Sequence, residues 1–292
     1  LQFSSIDYST FGLSIIRMNG HFVLIDYGSH GGWHGHRDKL NIELVTPYGA
    51  ILEDPGNVRY SLPVSSEWYR SSFAHNTISI NDSEQPEMEG YLIGANHSPE
   101  GSVVVAGFED PDSGITVERS LIVVSIDNGI VIFDFFRVKL ISDASLSRTY
   151  HFRNDSSLGI HSIENISKIL PEPARQYATL ERSNLSNSDS FWINNSNSDF
   201  SANTVFHISA ETNCYQGLSN NIGKFVLLRD EGFENFAMFR AVHVIQASQV
   251  NDFNIHWSDD NITHFNSDSL SVEVEWNDII PSFTKESSKP SL

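Results

Sequence analysis

Apolar residues along this chain fall in short runs broken by Ser, Asn, Asp and Gly, and no run sustains the 3.6-residue period of a helix. The pattern predicts strands. Gly12–Arg17 and His21–Asp26 read as a hairpin across an Asn19-Gly20 turn. Ser102–Phe108 and Ile115–Val124 follow, and Asp127-Asn128-Gly129 turns the chain into Ile130–Val138. Further strands are expected at Leu146–Phe152, Leu158–Ile163, Val205–Ala210, Lys224–Arg229, Asn235–Arg240 and Val242–Ala247. Leu270–Trp276 alternates, with Leu270, Val272, Val274 and Trp276 on one face. Residues 183–203 are rich in Ser and Asn and read as a long loop around a short Phe191-Trp192-Ile193 strand. The fold class is all-β, a large antiparallel two-sheet sandwich over residues 1–264. Residues 265–292 are expected to hold the last strand and, after Pro281, a flexible Ser/Lys/Pro-rich tail.

One stretch departs from this rhythm. Gly28–Asn81 holds four of the chain's 12 histidines, two of its 5 tryptophans and the turn-forming Asp54-Pro55-Gly56. Read as a strand from His34, the even positions are His34, His36, Asp38, Leu40, Ile42 and Leu44. That face is apolar at its far end and should turn inward, so His34 and His36 would sit at its mouth and converge on one point. A carboxylate, Asp54, ends the next expected strand, Gly49–Glu53, and His75 opens the strand that runs to Ile80. Two histidines and one carboxylate leave zinc an open position. Singly, each is an ordinary polar residue at a strand end; together they make a site. Cupin-like metalloenzymes also begin with His-x-His on a strand, but their carboxylate follows within a few residues, whereas Glu43 lies further on and on the other face.

Charge and cysteine content narrow the function. A net charge of -19 excludes a nucleic-acid binder on electrostatic grounds. The excess is uneven: Arg37, Lys39, Arg59 and Arg70 cluster in the motif region and are placed to focus a local positive field. The single cysteine, Cys214, precludes an intrachain disulfide. No apolar run reaches the length of a membrane span, and no signal peptide opens the chain.

Three blocks together resemble a known family. They are His34-Gly35-His36 with Asp38, Glu53-Asp54-Pro55-Gly56, and Trp68-Tyr69-Arg70-Ser71-Ser72-Phe73-Ala74-His75-Asn76-Thr77. They resemble the heparinase II/III-like polysaccharide lyases, more narrowly the oligoalginate-lyase branch, over about residues 5–90. The resemblance implies a β-sandwich packed against an N-terminal (α/α) toroid, which is expected elsewhere in the same or a separate chain and would supply a catalytic Tyr. It implies that His34 is catalytic and that His36, Asp54 and His75 hold a structural zinc. The expected activity is β-elimination on a uronate-containing glycan, alginate or its oligomers first and a glycosaminoglycan second, in a secreted or periplasmic protein. Trp33, Tyr60, Trp68 and Tyr69 are candidates to stack on sugar rings, with Arg37 and Arg70 facing the anionic substrate. The alternative is a non-catalytic carbohydrate-binding or structural sandwich module.

Overall fold

The computed structural model describes residues 4–152, 162–165, 169–183, 190–194, 200–209, 212–219, 223–233, 235–247, 253–258, 261–267, 270–276 and 280–287. Their strands form four antiparallel sheets. The central one has seven strands in the order Ser190–Asn194, Phe200–His207, Phe236–Ala247, Gly129–Lys139, Thr116–Ile126, Gly101–Glu109 and Gly90–His97. Facing it are two more. One has six strands and includes Ala144–His151, Gly223–Phe233 and Ile78–Ile80. The other has five, Ile6–Tyr8, Leu13–Met18, His21–Asp26, Ile42–Thr46 and Gly49–Leu52, in chain order. An antiparallel bridge from Leu52 to Phe152 joins these two edge to edge.

The all-β antiparallel sandwich expected from the pattern is what the chain forms, with a layer added. The central sheet is buried on both faces, which explains why its strands read as unbroken apolar runs. Val104, Ala106, Phe108, Ile130 and Ile132 point into the main core shared with the six- and five-stranded sheets. Their neighbours Val103, Val105, Val131, Phe133 and Phe135 point the other way. That second face is covered by a four-stranded sheet, Phe253–Trp257, Ile262–Ser267, Leu270–Glu275 and Ser282–Ser287. Phe265, Leu270, Val272, Val274 and Trp276 are its inward residues.

Several sequence-based boundaries move. The 264/265 boundary falls inside strand Ile262–Ser267, and residues 282–287 of the expected tail form a strand paired with Leu270–Glu275. Asn235–Arg240 and Val242–Ala247 are parts of one strand, because Ala241 is small, buried and in register with Asp134 and Phe206. Strands at Gly90–His97, Ala178–Ser183, Asn213–Ser219, Phe253–Trp257 and Ile262–Ser267 are additions; most are polar on one face and interrupted by Gly, Asn or Ser. Residues 158–161, 184–189, 195–199 and 288–292, which carried parts of the expected strand, loop and tail, lie outside the described residues. Both hairpin turns are as expected: Asn19 and Gly20 have φ 50 and 78, and Asn128 has φ 60.

Two charged residues interrupt the inner face of the central sheet. Arg119 and Asp134, both fully buried, are diagonal neighbours on adjacent strands and form a fork of two hydrogen bonds, 2.7 and 2.6 Å. Tyr150 donates to Asp134 at 3.1 Å, and the Arg119 guanidinium lies 4.4 Å over the Phe136 ring. Burial alone would raise Asp134, but the Arg119 charge beside it holds its carboxyl far below the usual carboxylate range. Removing one partner leaves the other as an unpaired buried charge. Asp134→Ala is therefore expected to lower stability by roughly 3–5 kcal/mol in urea denaturation.

A smaller core lies on the outer face of the six-stranded sheet, where Trp68, Phe73, Phe225 and Leu227 pack together. His151 is buried there, stacked on Phe225, and its Nε2 lies 2.9 Å from the Phe73 carbonyl. Burial pushes this imidazole down from 6.5 to about 3. The unfolded chain takes up a proton that the folded chain refuses, so stability is full above the unfolded value and falls as pH drops toward the folded one. Between pH about 6 and 4 this residue contributes a slope of roughly 1.4 kcal/mol per pH unit. A His151→Gln variant should show a shallower acid dependence in urea unfolding at stepped pH.

Candidate functional site

The motif stretch is not a strand at its start. Gly31 and Gly32 adopt φ 80 and 64, opening a 3-10 turn over Gly32–His34, and the next strand begins only at Ile42, after Leu40 at φ 64. Strand parity therefore does not govern His34 and His36, and the two imidazoles diverge. His36 turns inward and His34 outward. His75 likewise follows a 3-10 turn, Ser72–Ala74, rather than opening a strand, so alternation with Ile78 and Ile80 does not set its direction.

His36 meets His75 in the interior. Their Nδ1 and Nε2 atoms are 3.1 Å apart, with His75 fully buried. His75 Nδ1 lies 2.7 Å from the Ser71 carbonyl, to which it must donate, so Nε2 presents its lone pair to His36. Asp54 Oδ2 is 3.4 Å from that Nε2, and Asp38 Oδ2 is 3.9 Å from both imidazole nitrogens. Burial, and then the facing His75, lowers the His36 pKa and keeps that ring neutral. Asp38 is held below the usual range: burial would raise it, but the nearby His75 and Lys39 outweigh that effect.

Each member has its own support. Asn41 Nδ2 donates to Asp54 Oδ2 at 3.1 Å, and the Gly56 amide donates to Asp54 Oδ1 at 2.7 Å. Lys39 Nζ lies 3.0 Å from Asp38. Asn76 donates to the carbonyls of Ile42 and Glu53 and accepts from the His151 amide. Gln85 ties Lys39, Thr77 and Ile78 together. Arg119 reaches in from the central sheet to the carbonyls of Leu40 and Asn76.

The second half of the site is exposed. His34 Nδ1 is 3.0 Å from Tyr60 Oη, the two rings meeting edge to face, and Asn57 Nδ2 donates to the same oxygen at 2.8 Å. Trp33, beside His34, is 91% exposed.

The sequence matches the heparinase II/III-like C-terminal family over residues 3–215. The chain belongs to the heparinase II/III-like family. Its fold is shared with solved structures at low identity. A heparinase III with methylated lysines superposes with a TM-score of 0.66 at 12% identity, covering 99% of this chain and 42% of that one. A mutant of the heparan sulfate lyase HepC from Pedobacter heparinus gives 0.67 at 11%, covering 99% and 43%. The chain thus spans less than half the length of the heparinases it resembles. No curated protein matches it in sequence.

Within this heparinase-like chain the expected residues separate by burial. His36, Asp54 and His75 are brought together, and Asp38, absent from the set expected as ligands, joins them. Two expected sugar-stacking residues are corrected. Trp68 is 0% exposed and Tyr69 is buried, because the turn over Ser65–Tyr69 folds both against the six-stranded sheet. Arg70 donates to the Gly35 carbonyl at 2.9 Å, bracing the loop, while Arg37 donates to the Gln85 carbonyl and lies 4.0 Å from Glu87. Lys39 is buried against Asp38 and Asp26, so it adds no outward field. The asparagine and glutamine supports and Arg119 were not among the expected site residues; a lone Arg in an apolar strand was the available signal.

Gly35 holds the two halves in place. A Cβ there would sit 1.4 Å from the His30 carbonyl oxygen. Gly35→Ala must displace the loop that carries His34 and His36, and a loss of roughly 1–3 kcal/mol in urea unfolding is expected.

Proposed function

We propose that this chain is the β-sandwich half of a polysaccharide lyase that cleaves a uronate-containing glycan by β-elimination. The observation that carries the reading is the exposed His34–Tyr60–Asn57 chain, set across Gly35 from a buried His/Asp cluster. Elimination requires the C6 carboxylate to be neutralised, the C5 proton to be removed and the O4 leaving group to be protonated. With Asn57 donating to Tyr60 Oη, the tyrosine proton is free to point at His34 Nδ1, which leaves Nε2–H outward. In that state His34 donates toward the substrate carboxylate; with the proton shifted to Nδ1, Nε2 becomes the base. Trp33 offers an apolar face to a sugar ring, and Arg37 and Arg70 give the loop a local positive charge within an acidic protein. In this reading a helical domain of the kind the resemblance implies would supply the remaining acid.

The buried cluster fits zinc as a structural ion. Two imidazole nitrogens 3.1 Å apart match the spacing of about 3.3 Å that tetrahedral Zn–N bonds of about 2.0–2.1 Å impose. His36, His75 and Asp54 would hold it, with Asp38 as a second carboxylate within reach. When bound, zinc would cross-link the three loops and so fix the backbone that presents His34. Alginate or its oligomers remain the first substrate in this reading. Heparan sulfate stands beside them because a relative of the same fold is named for it. A secreted or periplasmic location follows from a polysaccharide substrate.

The test joins metal analysis to an assay for the unsaturated uronate product by its ultraviolet absorbance, using alginate, heparan sulfate and hyaluronan. About one zinc per chain is expected, lost in His36→Ala and His75→Ala but kept in His34→Ala. Product should form from one glycan and fall by about 100-fold or more in His34→Ala. No product from any of the three glycans would leave a carbohydrate-binding or structural module.

A further inference from the structure

The four-stranded outer sheet lies beyond residue 215, where the family match ends. Its inward residues are committed to the second core, and alternation leaves the opposite face to solvent. On that face His256 and His264 are direct cross-strand partners, and Glu273 is the direct partner of His264 on the following strand. The three side chains therefore form one straight row across three strands.

The row has the chemistry of a metal chelate. The His256 and His264 rings are stacked, with centroids 5.9 Å apart and planes 29° from parallel. Both rings are held by backbone pairing rather than by a loop, so little ordering is needed for them to share an ion. His264 Nδ1 lies 3.4 Å from Glu273 Oε2. A carboxylate at that nitrogen selects the Nδ1–H tautomer and turns the Nε2 lone pair outward, as partners of metal-binding histidines do. His264 and Glu273 side chains are 30% and 44% exposed, so an ion has open access and water can fill its remaining positions.

We propose that this row binds nickel or copper(II), divalent transition-metal ions of the imidazole-preferring class, held by His256 and His264 with Glu273 orienting the second ring. The site is separate from the buried His36/His75 cluster and does not depend on it. All its residues lie on a surface that contributes nothing to the cores, so substitutions there leave the fold intact.

The experiment is calorimetric titration of the zinc-loaded chain with nickel chloride, alongside His256→Ala, His264→Ala and Glu273→Gln. Wild type should take up nickel at one site, weakened at least ~10-fold in each histidine variant and about 10-fold in Glu273→Gln. Copper(II) paramagnetic resonance should show coupling to two imidazole nitrogens, reduced to one in His256→Ala. Nickel binding unchanged in both histidine variants overturns the proposal, and so does a wild type that binds no nickel. Zinc content should be the same in His264→Ala as in wild type, so failure of this site and of the buried one are read separately.

Discussion

The Arg119–Asp134 pair is the interaction on which the rest of the molecule depends. A guanidinium buried in the face of an apolar sheet needs its donors occupied, and this one places two N–H groups on Asp134 and one each on the carbonyls of Leu40 and Asn76. Those two carbonyls belong to the segments that carry His36 and His75. The central sheet thus fixes the candidate site through one side chain, from the side opposite the solvent. Tyr150 on Asp134 ties the six-stranded sheet into the same point. A hydrophobic contact could hold these layers together, but it would not select one orientation of two loop backbones. A forked, fully bonded Arg can.

The site itself divides into a rigid interior and an exposed working edge. The interior cluster is braced on every side by amide side chains: Asn41, Asn76 and Gln85 each satisfy backbone groups that no strand ladder reaches. The edge carries His34, Tyr60 and Trp33, whose mutual hydrogen bonds are few and solvent-facing. Only Gly35 separates His34 from His36, so movement of the interior is transmitted directly to the edge. This arrangement gives a structural metal ion a reason to exist in the reading advanced here. An irregular backbone with positive φ at Gly31, Gly32 and Leu40 has no ladder of its own to stiffen it.

Much of this was legible in the sequence, for identifiable reasons. The hairpin turns were readable because Asn-Gly and Asp-Asn-Gly demand positive φ whatever surrounds them. The central strands were readable because burial on both faces writes itself as an apolar run. The choice of His36 rather than His34 beside Asp54 and His75 came from the family resemblance; strand parity, which had both imidazoles converging, failed because Gly31–Gly35 allow a turn where alternation alone predicts extension. Trp68 and Tyr69 were misplaced for a related reason: an aromatic residue in a loop looks the same in sequence whether the loop faces water or folds back onto a sheet. Asp38 was visible but indistinguishable from any carboxylate beside a lysine until its distance to two imidazoles was known.

The extent of the family match does not mark the limit of the folding unit. Residues 3–215 include the motif, but strand Phe236–Ala247 lies between Phe200–His207 and Gly129–Lys139 in the central sheet. Without it, Gly129–Lys139 would lose one of the two strands that pair with it along its whole length, and Asp134 would lose the neighbour that brings His243 to 3.6 Å. Strand Gly223–Phe233 similarly separates Ala144–His151 from Asn213–Ser219 in the facing sheet, and Asp230 on it neutralises the buried Arg148. The outer sheet then covers Val103, Val105, Phe133 and Phe135, an apolar face too continuous to be left in water. The residues beyond 215 are therefore part of the same cooperative core, and the motif at the start of the chain is held in shape by strands near its end.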